Sequence, residues 1–226
     1  MKHSFKYYKI TYTLILSNSI IYLLTALLSK NLIDIDVDTL VKMGAIFGPY
    51  TVIDAQWWRL GTAMFLHGGM THLLMNMVSL YLIGRGFEEY FDTKSYITIY
   101  IFSGILGSLV SLYIHPESVG VGASGAIFGV FGGLAGFFLA HRDHIQEHTK
   151  SFMKDFTIII GINLVIGLSI PSVDMSAHIG GLVVGLMGGY VISKNIKLIW
   201  MYALAMIILM IVLMRYLPKQ YAQIFF

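Results

Sequence analysis

Ser124 stands between Ala123 and Gly125, with Gly122 two residues earlier, at the head of an apolar run that continues to Ala140. A serine among small residues at the start of a membrane helix has two readings. Small residues let helices pack closely. Equally, the two glycines leave the hydroxyl and nearby backbone N–H groups open to a carbonyl, as a nucleophile requires. A second stretch, Ala177-His178-Ile179-Gly180-Gly181, heads another apolar run. Serine and histidine at matching depths are the parts of a nucleophile–base pair, in which the imidazole takes the hydroxyl proton and later returns it. The chain has no cysteine, which excludes disulfides, thiolate catalysis and Cys-ligated metals.

The elements that must position these residues are membrane helices. Of 226 residues, 57% are hydrophobic and 12% charged, about half the charged fraction of a soluble domain. The fold class expected is therefore all-α, a polytopic membrane helix bundle. Runs long enough to cross a bilayer fall at about 10–29, 71–87, 96–114, 122–140, 156–170, 177–193 and 196–217, the second, fifth and sixth being short. Lys2, Lys6 and Lys9 before the first run imitate a signal peptide. That run is long, however, and no small-x-small cleavage site follows it, so a retained first span is expected. Without a long polar block, residues 1–226 read as one membrane-embedded domain. The net charge of +3 is spread among loops, which argues against nucleic acid as a partner and leaves the lipid bilayer as the surroundings.

Basic residues set the expected orientation. With the N-terminus inside, ten Lys and Arg residues lie inside and five (Lys30, Lys42, Arg59, Arg215 and Lys219) outside, which favours N-in, C-out. All four prolines (Pro49, Pro116, Pro171 and Pro218) then lie on the outer side, Pro116 and Pro171 shortly before the Ser124 and His178 spans. The first outer loop, about forty residues long, carries Asp34, Asp36 and Asp38 and then Trp57-Trp58-Arg59. A Trp pair beside Arg suits the headgroup level, so this loop is expected partly in the membrane interface.

In this orientation Ser124, His178 and the opening turn of the second span reach one level just below the outer surface. That turn holds His72 and Asn76, four apart and so on one helix face. Polar groups at that depth are costly unless they face a protein interior or a water-filled cavity. Gly181, Gly185 and Gly189 form a double GxxxG ladder below His178, and Gly125, Gly129 and Gly133 a matching one below Ser124, with Gly132 and Gly136 alongside. Such faces allow backbones close enough for a serine Oγ to reach an imidazole. Ser124 would then be the nucleophile and His178 the general base and acid. The Ser124 backbone N–H, His72 and Asn76 would be candidates to hold the developing oxyanion. No cofactor motif is present, and neither a cofactor nor a metal is expected.

Trp58-Arg59, His72-x-x-x-Asn76, Gly122-x-Ser124-Gly125 and Ala177-His178-x-x-Gly181-x-x-x-Gly185, in this order over residues 57–192, resemble the rhomboid intramembrane serine proteases. The resemblance implies a six-helix core (about 10–193) with the span at 196–217 as a seventh, C-terminal addition. It also implies a Ser124–His178 dyad with an oxyanion site including His72 and Asn76. Substrates would be transmembrane proteins cut near the outer membrane boundary, preferably after a small side chain. By the same resemblance Phe128 places an aromatic ring against His178, and Glu88 ties helices together on the inner side. Ser176 departs from the glycine or alanine that often precedes the Ala-His pair.

Other readings stand beside these. Asp174, four before His178, would complete a Ser-His-Asp triad or, preferably, cap a helix start. His72 and Asn76 would serve as oxyanion donors, as bridges between helices, or as both. His67, before Gly68-Gly69, suits the loop's return into the membrane rather than a direct catalytic role, and Arg59 an interface or structural anchor rather than a catalytic group. His141, His144 and His148 share a helical spacing that suits a metal but better suits a solvated polar face. A non-catalytic protein-binding scaffold of rhomboid type is the alternative function, although relatives of that kind typically lack the serine or the histidine. A solute transporter predicts repeat symmetry or midplane charge, and the sequence has neither. The compact chain without a targeting extension points to a bacterial cytoplasmic membrane.

Overall fold

A computed structural model describes residues 8–144 and 174–225 of the chain. The expected fifth span, with His148 and Pro171, lies outside the described residues. The principal helices are α1 (Lys9–Ser29), α2 (Val37–Lys42), α3 (Arg59–Thr62), α4 (Met70–Tyr90), α5 (Thr93–Ile114), α6 (Ser124–His141), α7 (Met175–Lys194) and α8 (Ile199–Phe225). Two short strands, β1 (Ile46–Phe47) and β2 (Val119–Gly120), pair antiparallel, Ile46 opposite Gly120. Five described helices are long and apolar enough to cross a membrane: α1, α5, α6, α7 and the stretch from Ile196 to Phe225 that contains α8.

Local chemistry explains most helix starts. Asp36, Asp92 and Asp174 occupy the N-cap positions of α2, α5 and α7, their carboxylates accepting from Thr39, Ser95, and Ser176 with Ala177 respectively. Because of the Asp92 cap, α5 begins three residues before the run 96–114 read from hydropathy. At the N-terminus of α1, Tyr8 offers no side-chain cap. Glu88 of α4 supplies it instead, accepting from Ile10 N (3.1 Å) and Thr11 N (2.8 Å). Glu88 thereby joins α4 to α1 while placing negative charge at a helix N-terminus, where the dipole favours it. Arg85, one turn earlier, lies over the rings of Tyr8 and Tyr81. These contacts carry α4 to Tyr90, past the expected end at 87.

The loop between α1 and α4 is folded back on itself. Ile35 N–H donates to Gly68 O and Met70 N–H to Ile33 O, closing its two ends together. Arg59 is 6% exposed. Its guanidinium donates to Gln56 Oε1 and to the carbonyls of Val41 and Ala45, and sits against the Tyr50 and Trp58 rings. Arg59 is thus an internal strut of the loop, whereas Trp58 is exposed.

The final helix differs from the expected span 196–217. It runs to Phe225 with Pro218 inside it rather than beyond it. Proline removes one N–H from the helix ladder, but the turn that follows is held by tertiary contacts of Gln220 and Tyr221. With 27 residues, α8 is about 40 Å long, which exceeds a hydrocarbon layer of about 30 Å.

Candidate active site

Helices α6 and α7 meet through their glycines. A Cβ placed on Gly181, Gly185 or Gly189 would stand 2.0, 1.9 and 2.0 Å from the carbonyl oxygens of Gly125, Gly129 and Gly133. No side chain fits between these backbones, so the two ladders bring α6 and α7 together backbone to backbone. One turn above Gly181 this approach brings His178 Nε2 to 2.7 Å from Ser124 Oγ, a hydrogen bond. His178 is 8% exposed, and its ring stacks on Phe128 (centroids 4.4 Å, planes 13° apart). The stacking fixes the ring plane, leaving the serine hydroxyl half-buried on the open side.

The helix starts around the serine differ in a way that matters for chemistry. At α7 the Asp174 carboxylate is occupied by Ser111 Oγ, Ser176 N–H and Oγ, and Ala177 N–H. Burial pushes the Asp174 carboxyl up, but these hydrogen bonds prevail and its pKa lies below the usual value. Among the described residues no carboxylate hydrogen-bonds the His178 ring, so Asp174 acts as a cap and does not form a triad. At α6 the N-cap is Ala123, with no side-chain cap. The first N–H groups of α6, beginning with Ser124, are therefore not taken by a capping side chain.

Gly122 shapes the same space. Its φ of +124° lies in the left-handed region, and its N–H donates to Ala63 O at 2.9 Å. A Cβ there would lie 2.8 Å from His72 Nε2 and 3.7 Å from Ser124 Oγ, so the imidazole of His72 and the serine hydroxyl face one small volume. Asn76 is buried, and its Nδ2 donates to the His72 carbonyl at 3.0 Å. One of the two amide protons is thus used within α4, leaving the other free of that contact. The structure brings Ser124, His178, Phe128, Gly122 and His72 together, with Gly125, Gly181 and Gly185 beneath them, and places Asn76 one turn below His72.

His67 belongs to the same neighbourhood, although no motif marks it in the sequence. It is fully buried and meets the His72 ring edge-on at 5.1 Å. Burial, and to a lesser degree the neighbouring His72, pushes the His67 imidazole down to about 3, so it is neutral at physiological pH. The signal was its place five residues before His72, across the Gly68-Gly69 turn. At the other end of the bundle His141 Nδ1 lies 2.9 Å from Phe137 O and its ring stacks on Phe137. Among the described residues no cluster of three His or carboxylate side chains is placed to hold a metal.

A family model described as the Rhomboid domain matches residues 54–195. RHOMBOID-like protein 6, mitochondrial, of Arabidopsis thaliana is 40% identical over 162 residues, 72% of this chain and 52% of that protein. Rhomboid protease GluP of Bacillus subtilis is 35% identical over 150 residues, 66% of this chain and 29% of that protein. Rhomboid-like protease 3 of Toxoplasma gondii is 32% identical over 167 residues, 74% of this chain and 62% of that protein. The chain spans about half the length of the plant relatives it matches. Relatives from plants, a bacterium and a parasite, one of them named as mitochondrial, go with an integral membrane location and with no single membrane. The helical bundle, the match over residues 54–195 and the identities of these relatives lead to one conclusion: the chain belongs to the rhomboid family.

Proposed function

We propose that this protein is an intramembrane serine endopeptidase that cuts transmembrane protein substrates near the outer membrane boundary. The observation that carries this reading is the 2.7 Å contact between Ser124 Oγ and His178 Nε2 at an uncapped helix start. Ser124 Oγ bonds to the scissile carbonyl carbon while its proton passes to His178 Nε2. The charge that develops on the carbonyl oxygen is held by the Ser124 N–H, with His72 and the free amide proton of Asn76 as further donors. The imidazolium returns the proton to the leaving nitrogen as the C–N bond breaks, leaving an acyl-serine. A water activated by His178 then releases the new carboxyl end.

Helical substrate backbone is already hydrogen-bonded, so the scissile bond must reach the site as extended chain. Cleavage is accordingly expected near helix-destabilising residues. The orientation that fits is N-in, C-out, with the Ser124 end of the bundle outside. Two named relatives are called proteases, which agrees with this reading. The non-catalytic scaffold is the competing one, and the presence of both Ser124 and His178 weighs against it.

Cleavage of a co-reconstituted single-span reporter by wild type, Ser124→Ala and His178→Ala tests the proposal. Wild type is expected to cut and both variants to fail. Cutting by all three would refute the dyad.

A further inference from the structure

Helix α5 ends at Ile114, and its last carbonyls have no partner within the helix. His115 N–H takes Ser111 O. The next two are satisfied from the far end of α8: Tyr221 Oη donates to Leu112 O at 2.9 Å and Gln220 Nε2 to Tyr113 O at 3.0 Å. The single Tyr221 proton is shared with Pro116 O, 3.2 Å away. Tyr221 is fully buried. A Cβ on Gly48 would stand 1.9 Å from Pro116 O and 2.6 Å from Tyr221 Oη, so only glycine lets the three chains meet.

The chain runs from this junction into the candidate site within a few residues. Gly48 follows β1, and Pro116 is three residues before β2. β2 leads within two residues to Gly122, whose backbone faces His72 Nε2 and Ser124 Oγ. We infer that Tyr221 is a positioning residue for Ser124. Its hydroxyl fixes the 116–122 segment, and with it the space in which the oxyanion forms. The inference rests on the dyad reading above. It makes α8, which lies outside the matched residues 54–195, part of the working site.

Tyr221→Phe in the full chain keeps the buried ring and removes the hydroxyl. Amide exchange over residues 117–122 should rise, and labelling of Ser124 by a small fluorophosphonate should slow by about three- to tenfold. Gly48→Ala attacks the same junction from the loop side and should act in the same direction. Tyr202→Phe is the control. It removes a comparable hydroxyl bond, to Val184 O at 3.2 Å near the opposite end of α8, and should leave labelling unchanged. Wild-type exchange and labelling in Tyr221→Phe, or equal slowing in Tyr202→Phe, would overturn the inference. If wild type itself is not labelled, the nucleophile reading has failed. Exchange then decides only whether Tyr221 tethers this segment, a rise over 117–122 supporting the tether and no change overturning it.

Discussion

Gly185→Ala tests whether the glycine ladders set the Ser124–His178 distance. The added Cβ would sit 1.9 Å from Gly129 O, 2.5 Å from Gly129 C and 2.6 Å from Gly129 Cα, all backbone atoms that no rotamer change can move. Carbon contacts are comfortable only at about 3.5 Å or more, so α6 and α7 must part by about 1 Å at least. Overpacking of this kind costs about 1–3 kcal/mol, offset by about 1 kcal/mol from the higher helix propensity of alanine. The same parting carries the 2.7 Å dyad contact to about 3.5 Å or beyond, where the hydrogen bond is lost. A misplacement of that size slows acyl transfer by about 10²-fold. Gly86→Ala in α4 is the comparison, because its Cβ meets nothing within 4 Å, and it should raise stability by about 1 kcal/mol. Thermal unfolding in detergent and the rate of fluorophosphonate labelling read both effects. Wild-type stability and labelling in Gly185→Ala would refute the reasoning.

The remaining predictions concern the rim of the site. Gly122→Ala places a Cβ against His72 Nε2 at a left-handed φ. It should cost about 1–3 kcal/mol in strain and lower kcat with little change in KM, because the space it fills is occupied only in the transition state; unchanged kcat would count against an oxyanion there. Neutral His67 should make stability pH-dependent. Its folded value of about 3 lies below the unfolded value of about 6.5, so the unfolded chain takes up the proton first. This share of stability is complete above about pH 6.5 and is lost as pH falls toward 3, at no more than about 1.4 kcal/mol per pH unit. His67→Gln should flatten that acid limb in a detergent unfolding titration, and an unchanged limb would show that His67 is not its source.

The parts of the fold visible in the sequence are those that periodicity reports. The spacing of Gly125, Gly129 and Gly133 against Gly181, Gly185 and Gly189 encodes a helix–helix contact directly, because each glycine marks a turn. The starts of α6 at Ser124 and of α7 at Met175, three residues before His178, follow from where their apolar runs begin. Hydropathy does not encode tertiary hydrogen bonds. The apolar run ends at 217, before Pro218, and nothing local says that Gln220 and Tyr221 will find the carbonyls of Tyr113 and Leu112 and carry the helix on. Arg59 reads equally as an interface or a structural anchor, because a guanidinium buried on Val41 O and Ala45 O looks the same in sequence as one facing phosphate. The cap preferred for Asp174 is the role it fills, while Ser111, a residue 63 positions away, adds a partner on its carboxylate that local sequence does not announce. His67 carries no periodic signal, since it belongs to no helix.

The central claim is that Ser124 is a nucleophile activated by His178. Site-mapped labelling of the purified protein with a fluorophosphonate tests it most directly, because it needs no knowledge of the substrate. A single adduct on Ser124 is expected in the wild type and its loss in His178→Ala, with the folded helix content of that variant unchanged. An adduct on another residue, or labelling of Ser124 at the same rate without His178, would contradict it.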